Sequence, residues 1–246
     1  MKILFVGETW FITSTHTKGF DFFTETRFGS GMKWIEEAFC SQGIEVVHLK
    51  AHEAHNDFPF SAEELQQYDA VFFSDIGSNT FLLHEDTFYK GIVVPNRLQV
   101  VKEYVEGGGG FAMIGGYMSF AGIDGKGRYK GTPIDEILPV ELSSYDDRVE
   151  RPEGVSIEII NPAHPILKGI DKPFPVVLGY NKLATKDEKS VIAKSGDDVF
   201  IAAHDYGQGK VVVFASDCSP HWAPMEFVNW EYYALFWGNV VRYLSS

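Results

Sequence analysis

The sequence contains few cysteines, few basic residues and no long hydrophobic run. Its two cysteines, Cys40 and Cys218, match no metal-binding or CxxC spacing, so we expect neither a disulfide framework nor a bound metal. Lys and Arg number 21 against 34 Asp and Glu, which gives a net charge of −13 and argues against nucleic acid or an anionic membrane as a partner. Since no signal-peptide core and no run of about 18 apolar residues occurs, the sequence predicts a soluble cytoplasmic protein.

The apolar residues that are present fall into short runs typical of buried parallel strands. With 246 residues and 45% hydrophobic content, the chain can form a single α/β domain over residues 1–246. Strand and helix patterns alternate, which predicts a flavodoxin-like, doubly wound and mostly parallel sheet. The predicted strands of this sheet are Lys2–Val6, Ile44–Leu49, Asp69–Ser74, Phe111–Ile114 and Val211–Ser216, and the predicted helices are Ser30–Gln42, Pro95–Glu106 and Glu226–Leu244.

Two regions depart from this alternation. Residues 11–30 are rich in Thr, Phe, Gly and Ser and are predicted to form a long loop. Between residues 126 and 210, short strand patterns separated by turns predict an antiparallel excursion before the last strand.

The segment Gly115-Gly116-Tyr117 is predicted to be a sharp turn from a buried strand into a helix. Glycines allow such a turn, and the residue at its apex is held at the carboxyl end of the sheet beside free helix N–H groups, as in a nucleophile elbow. The apex carries Tyr117, where a hydrolase or amidotransferase would carry Ser or Cys. The geometry therefore indicates a catalyst, whereas the side chain does not.

Open parallel sheets bind ligands outside the carboxyl ends of their strands, so polar residues that follow the strands are expected to converge. Carboxylates, imidazoles, a phenol and indoles together suit a small polar ligand such as a sugar or an amino acid. The predicted ligand-binding residues are Glu8, Thr9, Trp10, His52, Ser74, Asp75, Gly116, Tyr117, Asp217 and Trp222, and the predicted catalytic residues are Tyr117, Asp217 and His221. The alternative is that the aspartates cap loops and that Trp222 packs against the last helix.

Two further features have structural explanations that we favour. His48, His52 and His55 have a spacing that can bind metal, but a structural or solvated role is the stronger interpretation, and we predict no metal and no cofactor. Cys218 follows a different strand from the elbow, and we interpret it as a small buried apolar residue and not as a displaced nucleophile.

Several segments resemble the class I glutamine amidotransferase-like superfamily. They are the strand and elbow Phe111–Phe120, the run Asn161-Pro-x-His164-Pro-Ile, and GQGKVVVFASDCSPHW near the carboxyl terminus. More narrowly, YDAVFFSDIGSNT, GGYMSFAG and SDCSPHW are similar to a glutamine amidotransferase family of bacterial cytoplasmic proteins, near the trehalose-utilisation-like proteins. The resemblance covers nearly the whole chain and implies the amidotransferase-type sheet.

The resemblance also shows what the chain lacks. Amidotransferases of this type carry Cys at the elbow and a distal His-x-Glu pair, whereas this sequence has Tyr117 and no His-x-Glu. A phenol with a pKa near 10 is a poor nucleophile at neutral pH. We therefore expect a protein that binds a small polar or carbohydrate-like metabolite without glutaminase activity. The alternatives are a protein-interaction or homo-oligomerisation module, and a hydrolase or amidotransferase with a non-standard nucleophile.

Overall fold

A computed structural model describes residues 1–246. The strands are β1 (Lys2–Gly7), β2 (Thr9–Lys18), β3 (Asp21–Ser30), β4 (Glu45–Leu49), β5 (Ala70–Ser74), β6 (Gly110–Ile114), β7 (Val140–Glu141), β8 (Arg148–Val155), β9 (Glu158–Ile159), β10 (Val177–Asn181), β11 (Ala184–Thr185), β12 (Val191–Ser195), β13 (Asp198–Tyr206) and β14 (Gly209–Phe214). The α-helices are α1 (Met32–Ser41), α2 (Ala51–Asp57), α3 (Ala62–Leu65), α4 (Asn79–Leu82), α5 (Glu85–Lys90), α6 (Arg97–Glu106), α7 (Pro133–Ile137), α8 (Met225–Val228) and α9 (Tyr233–Leu244). Short 3₁₀ turns occur at Ile123–Gly125, Pro165–Leu167 and Glu188–Ser190.

An eight-stranded sheet forms the centre of the molecule, in the order β4-β1-β5-β6-β14-β13-β12-β9. The first five strands are parallel to their neighbours, and β13, β12 and β9 continue the sheet in antiparallel fashion. Counted along the chain, the parallel strands stand in the order 2-1-3-4-5, which is the flavodoxin-like order. Both the predicted doubly wound sheet and the antiparallel excursion before the last strand are confirmed.

The sheet is buried because its central strands are apolar on both faces. Every residue of β5 and β6 is buried, and β1 is buried from Ile3 onwards. Helix α1 packs against α9, whereas α6 packs against α3, α4 and α7, so a layer of helices covers each face. None of the helices combines the length and the apolar character needed to cross a bilayer.

Residues 11–30 are not a loop but most of a long β-hairpin. Strands β2 and β3 pair in antiparallel register from Thr9–Ser30 to Lys18–Asp21, and Gly19 makes the turn with φ of +66°. The loop prediction was wrong because both faces of the hairpin are exposed, which removes the alternation of apolar and polar residues that identifies a half-buried strand.

The predicted helix after the elbow is absent. Residues 117–122 form successive turns, and the backbone N–H groups there donate to side chains instead of to helical carbonyls. Met118 N–H donates to Asp75, and the N–H groups of Ala121 and Gly122 donate to the Asp147 carboxylate at 3.0 and 2.9 Å. Side chains that satisfy the backbone in this way compete with helix formation.

Two helix boundaries also differ from the prediction. Helix α6 begins at Arg97 with Asn96 as its N-cap, since the Asn96 side chain accepts the N–H of Leu98 at 3.0 Å. The predicted helix over residues 226–244 is divided into α8 and α9, with a turn around Trp230 between them.

Candidate functional site at the strand ends

Two acidic residues lie at the point where the strand order of the parallel sheet reverses. Glu8 follows β1 and Asp75 follows β5, and these two strands are adjacent although a helical crossover and β4 separate them in the chain. Both residues have positive φ, +56° for Glu8 and +45° for Asp75, which non-glycine residues adopt at a cost of order 1 kcal/mol. Strained acidic residues at a topological switch point indicate a ligand-binding or catalytic site.

The carboxyl group of Glu8 is buried between two serines. Ser74 Oγ lies 2.6 Å from Oε2, and Ser219 Oγ lies 2.6 Å from Oε1. Burial, together with the charges of Asp217 and Asp75, raises the pKa of Glu8 from 4.5 to about 8. Both serine hydroxyls donate to the Glu8 carboxyl group, and its raised pKa favours the protonated form at neutral pH.

Ser219 connects Glu8 to a pair formed by Asp217 and His221. Its hydroxyl lies 3.3 Å from Asp217 Oδ1, and its backbone N–H donates to the same oxygen at 3.0 Å. Asp217 Oδ2 lies 3.5 Å from His221 Nδ1. Burial lowers the pKa of His221, but the contact with Asp217 and the charges of other carboxylates outweigh it and raise the pKa above 6.5. Ser219 thus joins the buried Glu8 to Asp217, and Asp217 lies beside the half-exposed imidazole of His221.

The Asp75 carboxyl group lies where an anion bound by the backbone N–H groups of the elbow would lie. Its Oδ1 accepts the N–H of Met118 at 2.7 Å, and its carboxylate also accepts the N–H of Tyr117. Burial and the charge of Asp217 nevertheless raise the pKa of Asp75 to about 6. The donors that would stabilise the oxyanion of an acyl-transfer reaction are thus already bound to a side chain.

Tyr117 forms the outer wall of the site. Its ring lies edge-on to His221, with centroids 4.4 Å apart, and edge-on to Trp222 at 5.7 Å. Its Oη donates to Glu150 Oε1 at 3.0 Å, while Trp222 Nε1 donates to Oε2 of the same carboxylate at 2.9 Å. The Arg148 guanidinium lies 4.7 Å from the centre of the Tyr117 ring. The predicted residues Tyr117, His221 and Trp222 are therefore brought together.

The turn that carries Tyr117 is held by residues that the sequence prediction missed. Asn181 Oδ1 accepts the N–H of Gly116 at 3.0 Å, and Asn181 Nδ2 donates to the carbonyl of Gly116 at 3.2 Å and to Asp147 at 2.8 Å. Asn181 is fully buried at the end of β10. A polar residue that ends a strand pattern was the available signal for Asn181, but Glu150 in exposed β8 gave none.

Three predicted ligand-binding residues contact other parts of the molecule. Thr9 is buried, and its hydroxyl accepts the N–H of Ala51 at the start of α2. The indole of Trp10 covers Gly29 within the hairpin. His52 lies on α2, edge-on to Phe11 and Phe28 at the base of the hairpin. A role for Thr9, Trp10 and His52 in ligand binding stays a prediction.

The other two histidines of this group each contact a backbone carbonyl. His48, in β4, lies 2.9 Å from the carbonyl of Gly7, and His55 lies 2.5 Å from that of Leu83. The three imidazoles therefore do not share a site. His52 and His55 both lie on helix α2.

Cys218 lies next to Glu8 and Asp217, which with Asp75 form the acidic cluster at the strand ends. It is completely buried, and burial raises the pKa of its thiol well above 9, with Glu8 and Asp217 raising it further. Its Sγ and single oxygens of Glu8 and Asp217 lie within 4.8 Å of one another, and the Ser74 hydroxyl lies 3.7 Å from Sγ. A protonated, buried thiol of this kind is a poor nucleophile.

Comparisons with known proteins find related structures across the whole chain. Two cytoplasmic proteins from Salmonella typhimurium are 43% and 44% identical to it, with 99% and 100% of each chain covered and TM-scores of 0.94 and 0.95. A ThuA-like protein from Bacteroides uniformis, 13% identical with a TM-score of 0.55 over 99% of this chain and 90% of its own, shares the fold. A search of curated proteins finds no match.

The family comparison agrees with the resemblance seen in the sequence. Residues 2–246 match the family described as "Putative glutamine amidotransferase". The match extends over the sheet, the turn at Tyr117 and the strand ends that carry Glu8, Asp75 and Asp217. The chain belongs to this glutamine amidotransferase-like family.

Proposed function

We propose that this protein binds a small polar, carbohydrate-like metabolite at the strand ends and does not hydrolyse glutamine through a thiol. The observation that carries the proposal is the convergence of two buried acidic side chains, Glu8 and Asp217, and the half-buried Asp75 with the accessible aromatic wall of Tyr117 and His221. Carboxylates accept hydrogen bonds from hydroxyl or ammonium groups, and aromatic faces pack against sugar rings. Like the Salmonella relatives, the protein would act in the cytoplasm.

Three features argue against thiol-dependent glutamine hydrolysis at this site. The turn carries Tyr117, and burial together with Glu150 raises the pKa of its phenol above 10. The one nearby thiol, Cys218, is buried and protonated. The N–H groups of the turn are occupied by Asp75. Nucleophile, activation and oxyanion stabilisation are each missing.

A second candidate function is proton-transfer catalysis on the same ligand. It is favoured by the series of contacts from Glu8 through Ser219 and Asp217 to His221, because a buried acid with a pKa of about 8 and a carboxyl group beside an imidazole are the partners that acid–base catalysis uses. Hydrolysis or isomerisation of a carbohydrate-like substrate would use His221 as the group that exchanges a proton with the ligand.

Thermal unfolding against a panel of sugars, polyols and amino acids, including glutamine, tests the binding proposal. A ligand at about 100 times its dissociation constant stabilises the native state by about 2.7 kcal/mol, which corresponds to a melting-temperature shift of about 5–10 °C for a chain of this size. We expect a shift with the wild type that is lost in Tyr117→Ala and Asp75→Asn. Tyr89→Ala, at an exposed tyrosine on α5, is the matched control and should keep the shift.

The outcomes separate the candidates. A hit that Tyr117→Ala leaves unchanged would place the ligand elsewhere and refute the proposed site. Turnover of the hit that is lost in His221→Ala, while binding survives, would establish the catalytic candidate. Ammonia released from glutamine by the wild type above a buffer blank would refute the absence of glutaminase activity, and Cys218→Ala would then show whether the thiol supplies it.

A further inference from the structure

The β2–β3 hairpin extends away from the body of the protein. Ten residues in each strand give an arm about 33 Å long, at about 3.3 Å per residue. Its contacts with the body lie at its base, where Thr9 bonds to α2 and where Phe11 and Phe28 pack on His52. A two-stranded hairpin is at best marginally stable in water by itself, so an arm of this length needs a surface to pack against.

The two faces of the arm differ in charge. Residues directly opposite each other in the register share a face, and faces alternate along each strand. One face consists of Phe11, Phe22 and Phe28 with the five threonines at positions 13, 15, 17, 24 and 26; we call it the Phe/Thr face. All the charged residues of the arm, Lys18, Asp21, Glu25 and Arg27, lie on the opposite face.

The threonines make the Phe/Thr face less polar than its composition suggests. Thr13 and Thr26 hydroxyls lie 3.0 Å apart, and those of Thr15 and Thr24 lie 3.2 Å apart, so each pair forms a cross-strand hydrogen bond. Threonine hydroxyls that are bonded to each other make fewer hydrogen bonds to water. The methyl groups of the threonines add to the apolar surface of the face. A partner can cover this face without leaving an unpaired charge behind.

The phenylalanines supply part of the area that a stable interface needs. Phe11, Phe22 and Phe28 are 57%, 73% and 47% exposed. At about 200 Å² for each fully exposed aromatic residue, these three rings offer roughly 350 Å². The five exposed threonines extend that surface toward the about 800 Å² that each partner contributes to a standard interface.

We propose that the Phe/Thr face binds a second copy of this chain in a two-fold dimer. Each chain carries a net charge of −13, so two copies repel overall, and contact through this uncharged face avoids placing like charges directly against each other. A two-fold interface also requires a self-complementary patch. With phenylalanines at both ends and threonines between them, antiparallel arms bring Phe22 of one copy beside Phe11 and Phe28 of the other.

The mass in solution tests the proposal with a pair of adjacent substitutions on opposite faces. We expect light scattering at micromolar concentration to give twice the chain mass of 27.6 kDa. Phe22→Asp places a charge in the interface twice per dimer and should raise the dissociation constant at least 100-fold. Phe23→Asp, at the next residue and 50% exposed, lies on the opposite face and should leave the dimer intact. The melting temperatures of Phe22→Asp and Phe23→Asp, measured at a dilution at which each variant is monomeric, check that the fold survives.

A cross-linking experiment locates the two-fold axis. In a Cys40→Ser background, which removes the exposed native thiol, Thr15→Cys lies near the middle of the Phe/Thr face, where the two copies meet at the axis. It should form an intermolecular disulfide under mild oxidation, while Ser14→Cys on the opposite face should not. A wild type that is monomeric at 50 µM protein would overturn the proposal, as would equal dissociation by Phe22→Asp and Phe23→Asp or preferential cross-linking through Ser14→Cys.

Discussion

Replacing Glu8 with glutamine is expected to flatten the dependence of stability on pH. In the folded protein burial raises the pKa of Glu8 from 4.5 to about 8, so between these pH values the native state binds a proton that the unfolded chain has released. Stability from this group is therefore fully present below pH 4.5 and declines as the pH rises toward 8, where further loss stops once the native carboxyl ionises.

The size of the effect follows from the same pKa. One pKa unit corresponds to 1.36 kcal/mol, so Glu8 removes about 4 kcal/mol of unfolding free energy between pH 5 and pH 9. Glutamine has the same shape, stays neutral over this range, and can keep its contacts with Ser74 and Ser219 because hydroxyls both donate and accept. For a chain of this length about 1 kcal/mol shifts the melting temperature by 2–4 °C, so the wild type should lose about 10 °C more than Glu8→Gln.

Differential scanning fluorimetry at half-unit steps from pH 5 to pH 9 measures this difference directly. Glu36→Gln, which removes an exposed carboxylate on α1, controls for the change in net charge and should follow the wild type. If plots of melting temperature against pH for the wild type and for Glu8→Gln stay parallel from pH 5 to pH 9, the pKa of Glu8 is not raised by folding. The description of the acidic cluster would then be wrong.

Three other predictions test the supports of the site. Asn181→Ala should lower the unfolding free energy measured in urea by about 2–4 kcal/mol, because it leaves the Gly116 amide buried without a partner. The control Asn56→Ala, at an exposed position, should change that free energy by under about 0.5 kcal/mol. Equal effects of the two substitutions would contradict this prediction. Gly115→Ala should cost at least about 2 kcal/mol since its Cβ overlaps a backbone carbonyl at the end of β14, and an unchanged melting temperature would refute the close approach. Ellman's reagent should titrate only Cys40 in the native protein and also Cys218 in denaturant; two reactive thiols in the native state would show that the cluster is open to solvent.

The sheet could be predicted from the sequence because its strands are continuous apolar runs. Lys2–Gly7 and Ala70–Ser74 are buried on both faces, and such runs between helical patterns identify a parallel sheet. The hairpin at residues 9–30 could not be found in this way, because strands without a buried face lack an apolar periodicity. Its pairing depends on Gly19 and on cross-strand contacts between residues that only the register brings together.

The site could be predicted in part for a similar reason. Residues that directly follow parallel strands share one edge of the sheet, so the strand-end rule brought together Glu8, Asp75 and Asp217. The partners of Tyr117 come from the antiparallel excursion, where Glu150 and Asn181 are positioned by the non-local pairing of β8 with β10. No local pattern specifies that pairing, so these side chains could not be placed from the sequence alone.

Glu8 also connects the site to the proposed interface. The hairpin starts at Thr9, directly after Glu8, and returns at Gly31, whose N–H donates to the Glu8 carbonyl at 3.0 Å. A Cβ at Gly31 would overlap Glu8 Oε1 and crowd Ser219 Oγ. The base of the hairpin therefore packs directly against the buried carboxyl group of Glu8 and helps to exclude water from it. A second copy that shifts the base of the arm against Glu8 would change the pKa of Glu8, and by linkage the ionisation of Glu8 would then change the affinity of the dimer by the same factor. The dimer dissociation constant should therefore vary with pH between 5 and 9 in the wild type and lose that component in Glu8→Gln; an identical pH dependence in both would show that arm and site act independently.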